Sequence, residues 1–486
     1  MLPGWCLHPL QHSPVTRFGA HLRFYTLHNM RSSAVALLLA GAVAAHGGVD
    51  HGDHITFLRS LHSSNFPPTP VKRQANNNIP PLESIGPALP SEAPVPLRAT
   101  PTPGTKSPIN GAPDLPAATI NLASYPAFMS APDVNSPEVK QWIAEVAASG
   151  VEIPNIPKNV AAPAGSGQSL CQINPEAALK SNAQGNCWWS CGSCTRDTDI
   201  DTCPDKMTWG LTFDDGPSPY TPKVLNYLEE QKLKATFYVI GSNVIDKPAI
   251  LQATYLAGHE IALHTWSHRA LTTLSNEEII AELGWNMKAI KDVTGVTPKG
   301  MRPPYGDIDD RVRAICKAMK LTPVMWTTEG ELQYDSNDWR VNDGSQTGPQ
   351  LLQTFNSLLD RASQLNTGFV SLQHDLYAQT VNMAVGYFLP AGVSHNPPFV
   401  LQSVNECHKR PLSEAYIETS TGSTTPSGGN STATSTGANA TGTSRGTGNS
   451  GASTNTNTNG ALPQSIVSFV GAGLMSVLVG GALALL

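Results

Sequence analysis

The sequence predicts an α/β fold, a barrel with fewer than eight regular strand–helix units, inside a chain that is much longer than the barrel needs. Three observations predict it. From Met207 to about Gln379, short apolar or β-rich runs alternate with helical patterns, an order that implies parallel strands joined by helical crossovers. Polar residues with catalytic potential fall at the C-terminal ends of those strands, the face on which active sites of such barrels are built. Elsewhere the composition changes character: 41 Gly and 40 Pro among 486 residues, with 14% charged, point to long irregular stretches.

Each element of the barrel has its own signal. "MTWGLTF" is the first strand, ending on Asp214 and Asp215, and "GPSPYTP" turns the chain into the helix "TPKVLNYLEEQKL". There Thr221 suits an N-cap and Pro222 the first turn. "KATFYVIG" is the second strand, and "KPAILQATYLAG" the following helix, stopped by Gly258. "EIALHT" is the third strand. It leads to "SNEEIIAELGWNMKAIKDVTG", whose Ser275 and Glu278 form a capping box and whose Gly295 sits where the helix should stop. "KGMRPP" with "DDRVRAICKAMKL", "PVMWTTE" with "GPQLLQTFNSLLDRASQL", and finally "GFVSLQH" bring the count to six strands.

The flanks read differently. Residues 1–45 contain a secretory signal starting at Met30, "MRSSAVALLLAGAVAAH", with a short apolar core and small residues for cleavage. Residues 46–165 are Pro-rich with little apolar periodicity, the composition of a disordered linker or propeptide, and "VKRQ" offers a processing site after Arg73. Residues 166–206 form a Cys-rich lead-in, and 207–408 the barrel. Residues 409–460 form a stalk, Ser/Thr-rich from about Thr419 and carrying sequons at Asn430 and Asn439, as expected of a disordered glycosylated tether. Residues 461–486 are an uncharged apolar tail. With the small-residue sites near Asn449 and Ser450 or Asn459, the tail has the pattern of a glycosylphosphatidylinositol anchor signal. The expected location is therefore secreted, on the outer face of the plasma membrane and in the cell wall.

Charge and cysteines narrow the function classes. A net charge of -6 without any Lys/Arg run argues against nucleic acid or an anionic membrane as partner and favours a neutral or polymeric substrate. In an oxidising compartment the Cys residues are expected to form disulfides, although the spacing in "CWWSCGSC" also suits a structural zinc site. Seven Cys follow the presequence, so one thiol is left over.

The catalytic candidates are Asp214 and Asp215 after the first strand, His264 and His268 after the third, then Arg302 with Tyr305, and His374 at the last. His264 and His268, four apart, lie on one side of a helical turn if that stretch is helical. Two His and one carboxylate suit a catalytic divalent metal with an open position for water, and either aspartate can supply the third ligand. Adjacent residues at a strand end point in different directions, so one aspartate can bind metal while its neighbour acts as base.

"TFDDGP", "HTWSH", "RPPYG", "DSNDW" and "LQH" together resemble, in order, the five motifs of the polysaccharide deacetylases, carbohydrate esterase family four. The resemblance spans roughly Met207 to Tyr387 without a departure from the motifs. The lead-in, stalk and anchor signal extend it to the fungal, membrane-anchored chitin deacetylases of the cell wall. It implies a distorted β/α barrel and metal-dependent hydrolysis of N-acetyl groups on N-acetylglucosamine units of chitin, giving chitosan and acetate. By resemblance, Asp214 is the general base, Asp215, His264 and His268 bind one divalent ion, Zn2+ or Co2+, and Arg302 orients the base. The Tyr305 backbone N–H is an oxyanion donor, Asp338 orients the general acid His374, and Trp339 walls the pocket. The implied partner is chitin, with the membrane reached only through the lipid anchor and the enzyme monomeric. Two other readings stay open: a deacetylase of another acetylated glycan such as xylan, and a non-catalytic wall-binding protein. Trp266, Tyr305 and Trp326 are open between sugar stacking and core packing.

Overall fold

The computed structural model describes residues 79–89, 92–117, 120–163 and 166–420. The secretory signal, the dibasic site at Arg73, both sequons, the stalk beyond residue 420 and the apolar tail lie outside the described residues. Among the described residues no helix is long and apolar enough to cross a membrane.

In chain order the elements that position the site are α1 (Pro137–Ala148), β1 (Thr208–Gly210), β2 (Thr212–Asp214), α2 (Thr221–Gln231), β3 (Thr236–Val239), α3 (Gly241–Asp246), α4 (Pro248–Leu256) and β4 (Glu260–Leu263). They continue with α5 (Asn276–Thr294), β5 (Gly300–Met301), α6 (Asp310–Ala318), β6 (Thr322–Pro323), β7 (Thr328–Glu329), β8 (Leu332–Gln333), α7 (Gly348–Ala362), β9 (Phe369–Val370) and β10 (Val400–Gln402).

Strands β2 to β6 pair in sequence order, and β1 lies between β10 and β9; every pair in these two sheets is parallel. Single hydrogen bonds close the two sheets into a ring. Thr327 N donates to Val370 O at 3.0 Å, and Asp214 N to Gln373 O at 2.8 Å. The result is the expected distorted barrel of fewer than eight units. Its irregularity begins in the first strand, which breaks at Leu211, whose N–H turns to Gln402 O at 2.8 Å. β10, absent from the sequence expectation, is the strand that receives it. Trp209, Leu211, Phe213, Phe237, Ile261, Leu263 and Met301, at alternate strand positions, are buried against the helices, while Tyr238, Ala262, Val324 and Val370 form a separate buried cluster.

The helix signals hold with one correction. Ser275 and Glu278 make both capping-box bonds of α5, and Gly295 ends it with φ 85°, the left-handed conformation that glycine adopts freely. Thr221 is not the N-cap of α2; that position is Tyr220. The Thr221 hydroxyl donates instead to buried Asp375. The lead-in Cys pair as disulfides, Cys171 with Cys191 and Cys187 with Cys194, while Cys203 reaches across to Cys407. The leftover thiol is Cys316, buried in α6.

Two boundaries move. The described residues between 79 and 163, expected to be linker or propeptide, form a strap laid over the barrel, with Ile85, Ile109, Leu115, Val139 and Val146 buried in the common core. Polar pins hold it as well: Lys223 to Glu92 at 2.6 Å, Tyr255 with Ser107 at 2.7 Å, and Gln252 to Pro116 O at 3.0 Å. Outside α1 the frequent Pro leaves little regular structure but does not prevent burial, because extended backbone can lay isolated apolar side chains onto an existing surface. Residues 409–420, assigned to the stalk, also pack: Tyr416 is fully buried and accepts from Ile261 N at 3.0 Å.

Candidate active site

The first strand delivers two adjacent aspartates to the same end of the barrel, and both reach His264 Nε2, Asp214 Oδ2 at 3.9 Å and Asp215 Oδ1 at 3.3 Å. Asp214 ends β2 and is buried. Arg302, itself without solvent exposure, donates from Nη1 to Asp214 Oδ1 at 2.8 Å and to Thr212 Oγ1 at 2.7 Å. The guanidinium also lies 4.2 Å from the Tyr238 ring centroid. A buried ion pair so fully engaged has one geometry, and losing either partner leaves a charge stranded in the core. Asp215 follows with a left-handed backbone at φ 76°.

Asp215 Oδ1 lies 3.3 Å from His264 Nε2 and 3.2 Å from His268 Nε2. The oxygen is buried yet makes no hydrogen bond, so three donor atoms converge without satisfying one another. Both imidazoles are held by their other nitrogen, His264 Nδ1 against Arg302 O at 2.7 Å and His268 Nδ1 against the Tyr305 hydroxyl at 3.0 Å. That leaves both Nε2 atoms facing the carboxylate. The chemistry of this donor set, two imidazoles and one carboxylate within 4.8 Å of one another, fits a divalent metal ion.

His264 and His268 do not share a helical turn. The stretch from His264 to His268 is a loop, bent by left-handed Thr265 (φ 61°) and His268 (φ 57°). Buried Glu282 on α5 holds it by accepting from Trp266 N at 3.0 Å, Ser267 N at 2.8 Å and Ser267 Oγ at 2.5 Å. Neighbouring Asn286 accepts from His264 N at 2.9 Å.

Across the cleft, His374 Nδ1 meets Asp338 Oδ1 at 2.7 Å, and His374 N donates to Asp338 Oδ2 at 2.8 Å. Burial alone would lower the His374 pKa, but the facing Asp338 carboxylate overrides it and raises it to about 10. The imidazole is therefore cationic and able to donate a proton at neutral pH. Asp215 shows the converse: burial pushes it up, the adjacent His268 and His264 pull it down, and the outcome lies well below the usual carboxylate range. The cleft between these groups, about 390 Å³, is lined also by Tyr305, Trp339, Tyr377 and Met129.

A polysaccharide deacetylase family model matches residues 201–324. Over 398 residues the chain is 45% identical to chitin deacetylase 1 of Cryptococcus neoformans var. grubii, covering 81% of this chain and 80% of that one. The chain belongs to the polysaccharide deacetylase family. This deacetylase is also 41% identical to the chitin deacetylase of Amylomyces rouxii over 208 residues, 41% of this chain and 48% of that one. Among solved structures, the chitin deacetylase of Colletotrichum lindemuthianum matches 46% of this chain and 97% of that one, at 23% identity and a TM-score of 0.40.

The structure of the deacetylase brings all nine residues named from the sequence into one region. Trp266 and Trp326 are both buried in the core, Trp326 with an edge on the cleft, whereas Tyr305 is only partly buried and borders it. Sequence reasoning missed Glu282 and Asn286, whose signal was two polar residues on the buried face of α5. It also missed Asp375, one residue beyond the last motif. Burial raises the Asp375 carboxyl to about 7, and its oxygens lie 2.6 Å from where a Gly216 Cβ would stand. Gly216, in "DDGP", is thus small because Asp375 occupies its side-chain space.

Proposed function

We propose that the chain deacetylates N-acetylglucosamine units of chitin, yielding chitosan and acetate. One observation carries this reading: Asp214 on its Arg302 support and His374 on its Asp338 support flank the same Asp215, His264 and His268 cluster. The substrate comes from the relatives named above.

In this reading Asp215, His264 and His268 hold a divalent ion, Zn2+ or Co2+, which supplies Lewis acidity toward the amide carbonyl and the attacking water. Asp214 accepts the proton of that water as its oxygen bonds to the acetyl carbon, and Arg302 fixes the direction of the receiving carboxylate. The Tyr305 backbone N–H donates to the oxygen on which negative charge develops. His374, protonated opposite Asp338, gives its proton to the sugar nitrogen as the C–N bond breaks. The products are acetate and a free amine, with water consumed. Trp339 forms a side wall.

Acetate release from chitin oligomers and from acetylated xylan, with and without a chelator, tests this directly. Chelator-sensitive release from chitin, restored by Zn2+ or Co2+, is the expected result. Release from xylan alone identifies another glycan as substrate, and no release from either leaves a wall-binding protein.

Localisation belongs to the same proposal. The Met30 segment and the small-residue sites before the apolar tail support secretion and a glycosylphosphatidylinositol anchor at the outer face of the plasma membrane and the wall. Release of the protein from intact cells by a phosphatidylinositol-specific phospholipase is expected, as is a monomer by light scattering.

A further inference from the structure

The strap passes one residue into the catalytic cleft. Met129 lines it beside His268, Tyr305, Trp339 and Tyr377, yet it stands well before the first motif, which begins at Thr212, and outside the stretch matched by the family. Met129 is 43% exposed, and Tyr377, which lines the same cleft, is 50% exposed. An unbranched thioether standing in solvent beside polar catalytic groups is not there for core packing.

The surrounding chain fixes Met129 in that place. Tyr125, four residues earlier, stacks on Trp266 with ring centroids 6.0 Å apart and planes 4° from parallel, and its hydroxyl donates to Asp292 at 2.5 Å. On the other side, Ser136 caps α1, and Trp142 covers Gly284 of α5 so closely that a Cβ there would stand 2.2 Å from the ring. Between these anchors Met129 adopts φ 53°, a left-handed conformation uncommon for a side chain other than glycine. Its Sδ accepts from the buried Ser242 hydroxyl of α3 at 3.1 Å. The bond to the sulfur and the anchors on either side hold the residue toward the cleft against the cost of that conformation.

Given the chitin reading above, we propose that Met129 is a substrate-binding residue. It packs on the apolar C–H face of a sugar unit adjoining the one that loses its acetyl group. The reacting acetamide needs only the catalytic groups, whereas a neighbouring pyranose needs an apolar wall, and the strap supplies it. The N-terminal strap thereby takes part in distinguishing an oligomer from a small acetyl compound.

The test compares wild type, Met129→Ala, Met129→Leu and the strap surface control Leu122→Ala in the full-length protein. Substrates are the chitin tetramer and 4-nitrophenyl acetate, a small ester that fills only the reacting position. Met129→Ala is expected to lower kcat/KM on the tetramer about tenfold through KM, leaving ester turnover and Tm near wild type. Met129→Leu and Leu122→Ala should stay near wild type on both. Unchanged tetramer kinetics in Met129→Ala, or an equal loss on tetramer and ester, overturns the proposal. A wild-type protein inert toward the tetramer but active on the ester sinks the chitin reading instead, and this assignment with it.

Discussion

Asp214 and Asp215 are neighbours in sequence with separate surroundings: one carboxylate meets Arg302, the other meets two imidazoles. Asp214→Asn is expected to cut turnover by about a thousandfold or more, since it removes the proton acceptor, while metal content measured by atomic emission stays near wild type. His264→Ala should lower metal content in the same measurement, and full occupancy would remove His264 from the ligand set. A third change addresses His374, whose pKa is raised to about 10 by the Asp338 charge against the opposing effect of burial. An acid works only while protonated, so its contribution is present below that pKa and lost as pH rises through it. Asp338→Asn removes the raising charge, and the alkaline limb of the kcat profile should move to lower pH by roughly 1–3 units. An unmoved limb would mean that another group sets it. Much of this site was legible beforehand because each motif ends a strand, and strand ends in such a barrel share one face. The loop geometry of His264 and His268 was not legible, because a four-residue spacing is compatible with a helical turn and only the left-handed Thr265 and His268 exclude one.

The strap is the element that composition concealed. Its buried residues, Ile85, Ile109 and Leu115, are scattered through Pro-rich backbone with no period of two or 3.6, so nothing in the spacing announces a packed face. Only α1 has a conventional signal, Ser136 before Pro137, and its meaning depended on Gly284 lying opposite. β10 escaped for a related reason: a three-residue strand, Val400–Gln402, carries too few side chains to show alternation. The close fit at Gly284 makes the strap testable. Trp142→Ala should leave the groove over α5 unfilled and destabilise the protein by about 3 kcal/mol, read as a lower denaturant midpoint. Because the same contact anchors the segment bearing Met129, the variant should also raise KM for chitin oligomers. A stability loss without any change in KM would show that the strap's two ends act independently.

Across the whole described chain, the Cys203–Cys407 disulfide joins positions 204 residues apart and encloses nearly the entire barrel in one covalent loop. Closing so long a loop restricts the unfolded chain strongly, and replacing both cysteines by serine should cost about 3–5 kcal/mol, visible as a lower Tm with kcat little changed. The chain then continues to Tyr416 and Glu418, which bond to Ile261 N and to Thr297. These partners stand at the N-terminal ends of β4 and β5, whereas His264 and Arg302 stand just past their C-terminal ends. The polypeptide therefore leaves the barrel by its floor while the catalytic mouth opens through its roof. Substrate therefore approaches the barrel from the face opposite the one on which Tyr416 and Glu418 are seated.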